Sequence, residues 1–174
     1  MAHIQCSRLL PAPRSQVFDL LSEPIHLTDL LKDTIDVQAK FSFDNPVRKG
    51  AEFSFIMTRF GLSQPVTFRV EDYVKGSRLT YKQSEGLMYN WYHTMKFEDF
   101  GDKQTLVTDL VEFELPFGVF GHIANDLFVK SDLKNVLEKR LFRAEEILTS
   151  GSEATGDVSD ENKAPGGLKF EFET

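Results

Sequence analysis

The stretch YNWYHTMKFEDFGDKQTLVTDLVEFELPFG, residues 89–118, carries the clearest structural pattern in the sequence. Apolar and polar side chains alternate from Tyr89 to Phe97 and again from Thr105 to Leu115. Alternation with a period of two is typical of a strand that buries one face. The intervening EDFGDK consists mostly of polar and turn-forming residues. The stretch therefore predicts two antiparallel strands joined by a short turn.

The apolar face of the first strand has an unusual composition for a core. A strand that only fills a core is expected to use Val, Ile and Leu, yet Tyr, Trp and His have polar tips that need partners when buried. Three interpretations stay open at this point: a core, a ligand pocket or an active site. The face consists of Tyr89, Trp91, His93, Met95 and Phe97.

The turn also predicts which residues of the two strands are neighbours. With EDFGDK as the connection, residues whose numbers add up to about 204 lie opposite each other. His93 is therefore expected close to Asp109 and Val111. The inward set on the second strand is then Val107, Asp109, Val111 and Phe113.

The rest of the folded part predicts an α+β domain. Residues 3–12 have a strand pattern, and APRSQVFDLLSEP and PIHLTDLL predict two short helices that Pro24 separates. Consecutive strands joined by short turns form an antiparallel meander. The further predicted strands are Asp36–Phe43, Glu52–Phe60, Val66–Val74 and Arg78–Ser84. Inward candidates on the early strands are Phe53, Phe55, Met57 and Arg59, then Val66, Phe68 and Val70, although Ile56 and Phe60 make the opposite face apolar too.

A long amphipathic helix is predicted over Val119–Leu148. Apolar residues such as Leu133, Leu137 and Leu141 recur at helical spacing, so the helix has one stripe to bury, and the meander sheet is the surface that can cover it. Arg140 lies among these apolar positions. The sequence leaves open whether its side chain reaches into the interior or caps a loop carbonyl.

Charge and composition restrict the class of function. The formal net charge is −7, which argues against a nucleic-acid-binding protein. The single cysteine, Cys6, cannot form an intramolecular disulfide and is expected to be a small buried hydrophobe. Neither a signal-peptide pattern nor an apolar run of roughly 20 residues occurs. We therefore expect a cytoplasmic protein without stable membrane insertion.

The composition changes after Ser150. Residues 151–174 contain six acidic residues and two lysines, so they carry −4 of the net charge of −7. Small, polar, acidic segments are typical of flexible tails, which predicts a domain over 1–149 and an acidic tail over 150–174. The tail ends in LKFEFET, whose alternation also fits a strand that adds to an exposed sheet edge of the same chain or of a second copy, as in a homodimer.

This order of elements resembles the START-like superfamily, also called SRPBCC or birch-allergen-like. Its polyketide cyclase/dehydrase-type and coenzyme-Q-binding-like bacterial branches are the most similar. The resemblance covers residues 3–149 and rests on SRLLPAPRSQVFDLLSEP, RKGAEFSFIMTRFGL and LFVKSDLKNVLEKRL, together with the hairpin quoted first. In that hairpin, the positions that match are Trp91, His93, Phe97, Thr105, Asp109, Val111, Phe113, Pro116 and Gly118.

The resemblance implies a helix-grip fold, in which a curved antiparallel sheet wraps around a long C-terminal helix and leaves a cavity between them. His93, Asp109 and Arg59 would then form a polar spot among apolar walls, as a pocket for an apolar ligand with one polar group requires. The expected lining residues are Phe55, Met57, Arg59, Phe68, Tyr89, Trp91, His93, Phe97, Asp109, Val111, Phe113, Leu133 and Leu137.

Three functions follow from this. The first is non-catalytic binding of a hydrophobic small molecule of the lipid, polyketide or quinone type. The second is a cyclase/dehydratase-type enzyme in which His93 and Asp109 move protons, although no Ser or Cys nucleophile pattern accompanies them. The third is a protein-interaction module built on the tail. The four histidines lack metal-ligand spacing and the glycines form no phosphate loop, so neither a metal nor a cofactor is expected.

Overall fold

The computed structural model describes residues 1–44, 46–59, 61–86, 88–114 and 126–156, with the side chains of residues 38–43, 59, 62, 89, 126, 127 and 152–156 left out of the description. The elements in chain order are β1 (Ala2–Leu10), α1 (Arg14–Ser22), a single 3-10 turn (Pro24–His26), α2 (Leu27–Leu31), β2 (Asp36–Phe43), β3 (Glu52–Arg59), β4 (Leu62–Val74), β5 (Arg78–Glu85), β6 (Tyr89–Asp99), β7 (Thr105–Glu114) and α3 (Asp126–Gly156).

The described strands form one antiparallel sheet in the order β1-β7-β6-β5-β4-β3-β2. From β2 to β7 each strand pairs with the next, as in a meander, and β1 closes the order by pairing with β7. The sheet is curled, and α3 packs on its inner face close to β1. The predicted α+β helix-grip fold is therefore confirmed.

The helix α1 closes one end of this inner face. Its apolar residues Val17, Phe18, Leu20 and Leu21 are all buried, and the ring of Phe18 packs edge-on against Phe97 of β6 at a centroid distance of 5.0 Å. Two hydrogen bonds tie the same region to the sheet: Thr105 Oγ1 donates to the carbonyl of Ala12 at 2.8 Å, and Tyr81 Oη donates to the carbonyl of Ser22 at 2.7 Å.

The predicted register of the β6–β7 hairpin is confirmed for most of its length. His93 pairs with Val111 and Phe97 with Val107. The prediction is wrong at Tyr89, which pairs with Glu114 and not with Leu115. The reason is a bulge: the ladder resumes with Tyr92 opposite Glu112, so Asn90 and Trp91 together face one residue of β7.

Asn90 gives this bulge its local geometry. Its φ is 48°, in the left-handed region that Asn tolerates better than most residues. Its side-chain Nδ2 donates a hydrogen bond of 2.6 Å to Glu114 Oε2 on the neighbouring strand. The bulge is therefore held by both a backbone conformation and a cross-strand bond, and the adjacent residue is Trp91.

Most predicted boundaries agree within two residues, for example β1, predicted over 3–12 and observed at Ala2–Leu10, but two differ by four residues or more. The strand β4 begins at Leu62 and not at Val66, because Arg59 already pairs with Leu62 and Gly61, with φ of 75°, lets the chain reverse there. The helix α3 ends at Gly156, beyond the predicted Leu148. The predicted start of α3 at Val119, the PFGVFG connection and the LKFEFET segment lie outside the described residues.

The core lies between the sheet and α3. The predicted inward set of the early strands is confirmed in part: Phe53, Phe55, Val66 and Val70 are buried, and Met57 and Phe68 pack against them while partly exposed. Cys6 is buried, as expected. Burial, and next the nearby negative charge of Asp109, raises the pKa of its thiol to about 12, so it is protonated at neutral pH.

Candidate functional site

Three polar side chains meet in the otherwise apolar interior. Asp109, in the middle of β7, has no exposed surface. Arg140 of α3 donates from Nη2 to both of its carboxylate oxygens at 2.9 Å, and His93 Nε2 lies 3.1 Å from Oδ1. The same Arg140 nitrogen lies 3.0 Å from the sulfur of Met95. We call Asp109, Arg140 and His93 the buried triad.

The buried triad carries no net charge at neutral pH. Burial raises the pKa of Asp109, but the positive charge of Arg140 and the hydrogen bonds from Arg140 and His93 together outweigh burial and hold that pKa below its usual value. Burial lowers the pKa of His93, and the charge of Arg140 adds to this against the opposing effect of Asp109. Asp109 is therefore an anion, Arg140 a cation and His93 neutral.

This charge state assigns the tautomer of His93. An ionised carboxylate only accepts hydrogen bonds, so Nε2 of His93 must carry the proton that it donates to Asp109. Nδ1 of the neutral ring is then an acceptor. The exposed fraction of the side chain is 12% for His93, 5% for Arg140 and 0% for Asp109. His93 is therefore the member of the buried triad that another molecule can best contact.

On β6 and β3 the burial of the inner-face side chains decreases away from α1. On β6, Met95 and Phe97 are at most 1% exposed, whereas His93 and Trp91 are only partly buried. On β3 the change occurs from Phe55, which is buried, to Met57, which is partly exposed. On these two strands the residues farther from α1 are thus covered less completely by the described residues, whereas on β7 burial continues to Phe113, which is 1% exposed.

The orientation of α3 places its own less buried residues at the same end. Arg140 reaches Asp109, and Glu145 pairs with Arg8, which lies further toward α1. At a rise of 1.5 Å per residue, Leu133 lies about 10 Å before Arg140, in the direction of Trp91. Leu133 is partly exposed, whereas Leu141 is 1% exposed. We call Met57, Phe68, Trp91, His93, Phe113 and Leu133 the open-end cluster.

Trp91 is the most unusual member of this cluster. Its ring packs against Phe113 at a centroid distance of 5.9 Å. Its indole Nε1 is buried and has no hydrogen-bond partner among the described residues. An unsatisfied buried donor costs about 1–3 kcal/mol, and native proteins leave few of them. Nε of Arg140 is a second buried donor without a partner in the described part of the chain.

An aromatic wall continues from Trp91 and His93 across the sheet. Phe53 stacks with Phe68 at 5.4 Å, and Tyr81 meets Phe53 edge-on at 4.9 Å. The rings of Tyr81 and His93 are 6.4 Å apart. The hydroxyl of Tyr81 is satisfied by Ser22, so it contributes an apolar ring to the wall and no free donor.

The structure brings together most of the predicted site residues. His93 contacts Asp109, Trp91 contacts Phe113, and Phe55 stacks with Phe68 at 5.9 Å. Val111 and Leu137 are buried in the same core. Phe97 lies at the α1 end, against Phe18. The side chains of Arg59 and Tyr89 lie outside the described part of the chain.

Arg140 is the residue that the sequence prediction did not assign. The structure answers the open question: its side chain reaches into the interior and pairs with Asp109. The signal was present, because a charged residue interrupted the apolar stripe of the helix. Its partner was on another element, and only the packing of α3 on β7 identifies it.

Comparisons with known proteins give the fold of this chain. No family model and no curated protein matches it. Its structure is similar to protein TTHA0849 of Thermus thermophilus, at 21% identity and a TM-score of 0.69, covering 87% of this chain and 99% of that one. It is also similar to protein NE0264 of Nitrosomonas europaea, at 15% identity and a TM-score of 0.66, covering 87% of this chain and 96% of that one.

A third similar structure has a stated biochemical context. It is the di-domain aromatase/cyclase StfQ of the steffimycin biosynthetic pathway, at 14% identity and a TM-score of 0.65, with 87% of this chain matched to 51% of that one. These likenesses define the class of fold: an α+β domain in which a curled antiparallel sheet packs against a long C-terminal helix. They leave its ligand and activity to be inferred from the site.

Two further observations concern the described residues. None of their helices is both long and apolar enough to span a bilayer. Within the same residues, no group of three or more His, Cys, Asp and Glu side chains is arranged to hold a metal ion.

Proposed function

We propose that this protein binds a hydrophobic small molecule between the inner face of the sheet and α3, at the open-end cluster. The observation that carries this proposal is the buried indole N–H of Trp91, which has no partner among the described residues although the Trp91 side chain is itself only partly buried and packs against Phe113. A ligand that covers the exposed apolar part of the open-end cluster and accepts a hydrogen bond from Trp91 Nε1 would remove apolar surface from water and satisfy the buried donor.

The composition of the open-end cluster suits such a ligand. Met57, Phe68 and Leu133 provide partly exposed apolar surface, Phe113 packs behind the ring of Trp91, and Trp91 and His93 provide one donor and one acceptor. Binding sites for small molecules usually combine apolar walls with a few polar groups that orient the ligand. In this proposal the remaining predicted lining residues whose side chains are described form the second layer of the wall or its margins: Phe55, Phe97, Asp109, Val111 and Leu137.

The single tryptophan makes the proposal directly testable. N-phenyl-1-naphthylamine is an uncharged fluorescent probe that accepts energy from excited tryptophan. We expect saturable, one-to-one binding with energy transfer from Trp91. Phe68→Ala should weaken this binding at least tenfold, because it removes part of the apolar wall.

Phe100→Ala is the matched control, since Phe100 is 55% exposed and lies in the β6–β7 turn. It should bind the probe as the unsubstituted protein does. Both variants are to be checked for an unchanged far-ultraviolet circular dichroism spectrum. Probe fluorescence that does not saturate, or that responds equally to both substitutions, would contradict the proposal.

Native mass spectrometry of freshly purified protein separates binding from the interaction-module alternative. A co-purifying apolar molecule of lipid, polyketide or quinone type supports the binding function. A monomer without bound mass that becomes a stable dimer only with residues 157–174 present supports the alternative built on the tail.

A cyclase-type enzyme is the second candidate, favoured by one observation. His93 is neutral, and its Nδ1 has no hydrogen-bond partner among the described residues, so it has the form of a general base; StfQ shows that a similar fold occurs in an aromatase/cyclase. Asp109 would then act by positioning, because both of its oxygens are engaged by Arg140.

The variants His93→Gln and Asp109→Asn distinguish the two functions. If the protein only binds, candidate linear polyketones remain unconverted by the unsubstituted protein, and the variants change affinity alone. The enzyme function is established if the unsubstituted protein converts such a substrate and His93→Gln lowers the turnover by a factor of about 100 or more while affinity is retained. A loss of this size is expected when general base catalysis is removed.

A further inference from the structure

The same site also indicates what kind of polar group its ligand carries; this inference rests on the proposed binding function. We infer that the site selects an uncharged ligand whose carbonyl oxygen accepts a hydrogen bond from Trp91 Nε1, and that it discriminates against a carboxylate on an otherwise similar ligand. Trp91 is then the residue that determines polar specificity.

Trp91 supplies the hydrogen-bond donor of this site. An indole N–H donates and cannot accept, so the group that satisfies it must be an acceptor. The position of the ring is fixed on two sides, by the contact with Phe113 and by the bulge that Asn90 and Glu114 maintain. A fixed, dry donor next to apolar surface is suited to a carbonyl oxygen at the end of an apolar ligand.

The buried triad determines which charge a ligand can bring into this interior. Asp109 and Arg140 are the charged residues that are buried in the described part of the chain, and their charges cancel. A ligand carboxylate would add a second negative charge to this interior without a new cation, and burying an unpaired charge is costly. Protonation of His93 could supply that cation, but burial and Arg140 hold its pKa below the ordinary value.

The free Nε of Arg140 does not reverse this conclusion. It is a buried donor without a described partner, and it too would be satisfied by a neutral oxygen. Its positive charge is already matched by two bonds of 2.9 Å to Asp109. His93 Nδ1 adds an acceptor roughly 7 Å along the strand from Trp91, which a ligand hydroxyl could use.

Three probes of equal size test the inference: 2-acetylnaphthalene, 2-ethylnaphthalene and 2-naphthoate at neutral pH. Affinity is measured by isothermal titration calorimetry. We expect the ketone to bind about tenfold or more tightly than either of the others, since tenfold corresponds to the free energy of roughly one good hydrogen bond. Trp91→Phe keeps an aromatic ring but removes the donor, so the preference for the ketone over ethylnaphthalene should fall to near unity, while the discrimination against naphthoate should remain.

A second measurement observes the donor itself in the unsubstituted protein. The only tryptophan gives one indole cross-peak in a ¹H–¹⁵N spectrum. The ketone should move this peak downfield, and the hydrocarbon should not. Phe100→Ala again serves as the control and should retain both the preference and the shift.

The outcomes separate this inference from the proposed function. Naphthoate that binds as tightly as the ketone overturns the inference but leaves apolar ligand binding intact. The same holds if the ketone binds no better than ethylnaphthalene and leaves the indole peak in place. If none of the three probes binds, the proposed function fails together with the inference.

Discussion

At Asp109 a carboxylate without exposed surface is held in the interior by two neighbours, Arg140 and His93. Removing one partner of such a pair leaves an uncompensated charge. Arg140→Met is therefore expected to lower the free energy of unfolding by about 3–5 kcal/mol. The double variant with Asp109→Leu removes both charges and should be more stable than Arg140→Met alone, as urea unfolding can measure.

An exposed ion pair provides the control for this comparison. Lys134 and Glu138 lie on the solvent side of α3, 3.8 Å apart and both 55% exposed. Their single substitutions to Met and Leu should each change stability by less than about 1 kcal/mol. If Arg140→Met has an effect as small as Lys134→Met, the triad does not hold a buried charge.

The protonation of His93 gives a dependence of stability on pH. Its folded-state pKa lies below the ordinary 6.5, because burial and Arg140 outweigh Asp109 while the nearby Tyr81 is uncharged. Below pH about 6.5 the unfolded chain therefore binds more protons at His93. The free energy of unfolding should fall as the pH decreases through this value, by at most about 1.4 kcal/mol per pH unit.

His93→Gln removes this contribution and leaves the other three histidines in place. Between pH of about 7.5 and about 5.5, on either side of the ordinary histidine pKa, the stability of the unsubstituted protein should therefore decrease more than that of the variant. Asp109 stays ionised over the whole range because its pKa is lowered. If the unsubstituted protein instead becomes more stable relative to His93→Gln as the pH falls, the effect of Asp109 exceeds that of burial and Arg140 and raises the pKa of His93.

Among the elements, the bulge in β6 has the clearest local cause. Asn90 adopts a φ of 48° and bonds to Glu114. Asn90→Gly keeps the left-handed conformation accessible and loses only the side-chain bond. Asn90→Ala should cost about 1–2 kcal/mol more than Asn90→Gly, because a Cβ disfavours that conformation.

The position of Trp91 reports the same change. Asn90→Ala should displace the indole cross-peak of the ligand-free protein, whereas Asn90→Gly should leave it close to its original position. Equal stability of the two variants, measured by thermal unfolding, would show that the bulge does not depend on the conformation of this residue.

The strands and the register of β6 and β7 were predictable from sequence, but the bulge was not. Alternation identifies which residues share a face, and the EDFGDK turn predicts the pairing of His93 with Val111. The extra residue at Asn90 changes the pairing only at Tyr89, on the side of Trp91 away from the turn. The alternation between Trp91 and the turn is regular and does not indicate the bulge. The inward position of Arg140 was likewise visible, but its partner lay on a strand that helical spacing cannot identify.

For the whole molecule, the fold depends on pattern more than on identity. The similar structures share at most 21% of residues with this chain, yet the order of elements and the inner apolar face suffice to give the same arrangement. The composition of the site is a different matter. Trp91, His93, Asp109 and Arg140 form one site only when the sheet and α3 pack together.

Domain organisation is testable at this scale. We propose that residues 1–156 fold and bind ligand without the acidic segment that follows. Truncation after Gly156 should leave the melting temperature and the affinity for N-phenyl-1-naphthylamine unchanged. Truncation after Leu133 is the contrasting variant, since it removes the buried residues of α3 from Val136 onward and should prevent folding. A lower melting temperature after truncation at Gly156 would assign the C-terminal residues to the folded unit.

A crystal structure of the protein with 2-acetylnaphthalene tests the central claim most directly. Electron density for the ligand should lie between α3 and strands β6 and β7, in contact with Phe68 and Phe113. Its carbonyl oxygen should lie about 2.9 Å from Trp91 Nε1. Ligand density confined to the outer face of the sheet, or an interior at Trp91 that protein side chains fill completely, would contradict the account.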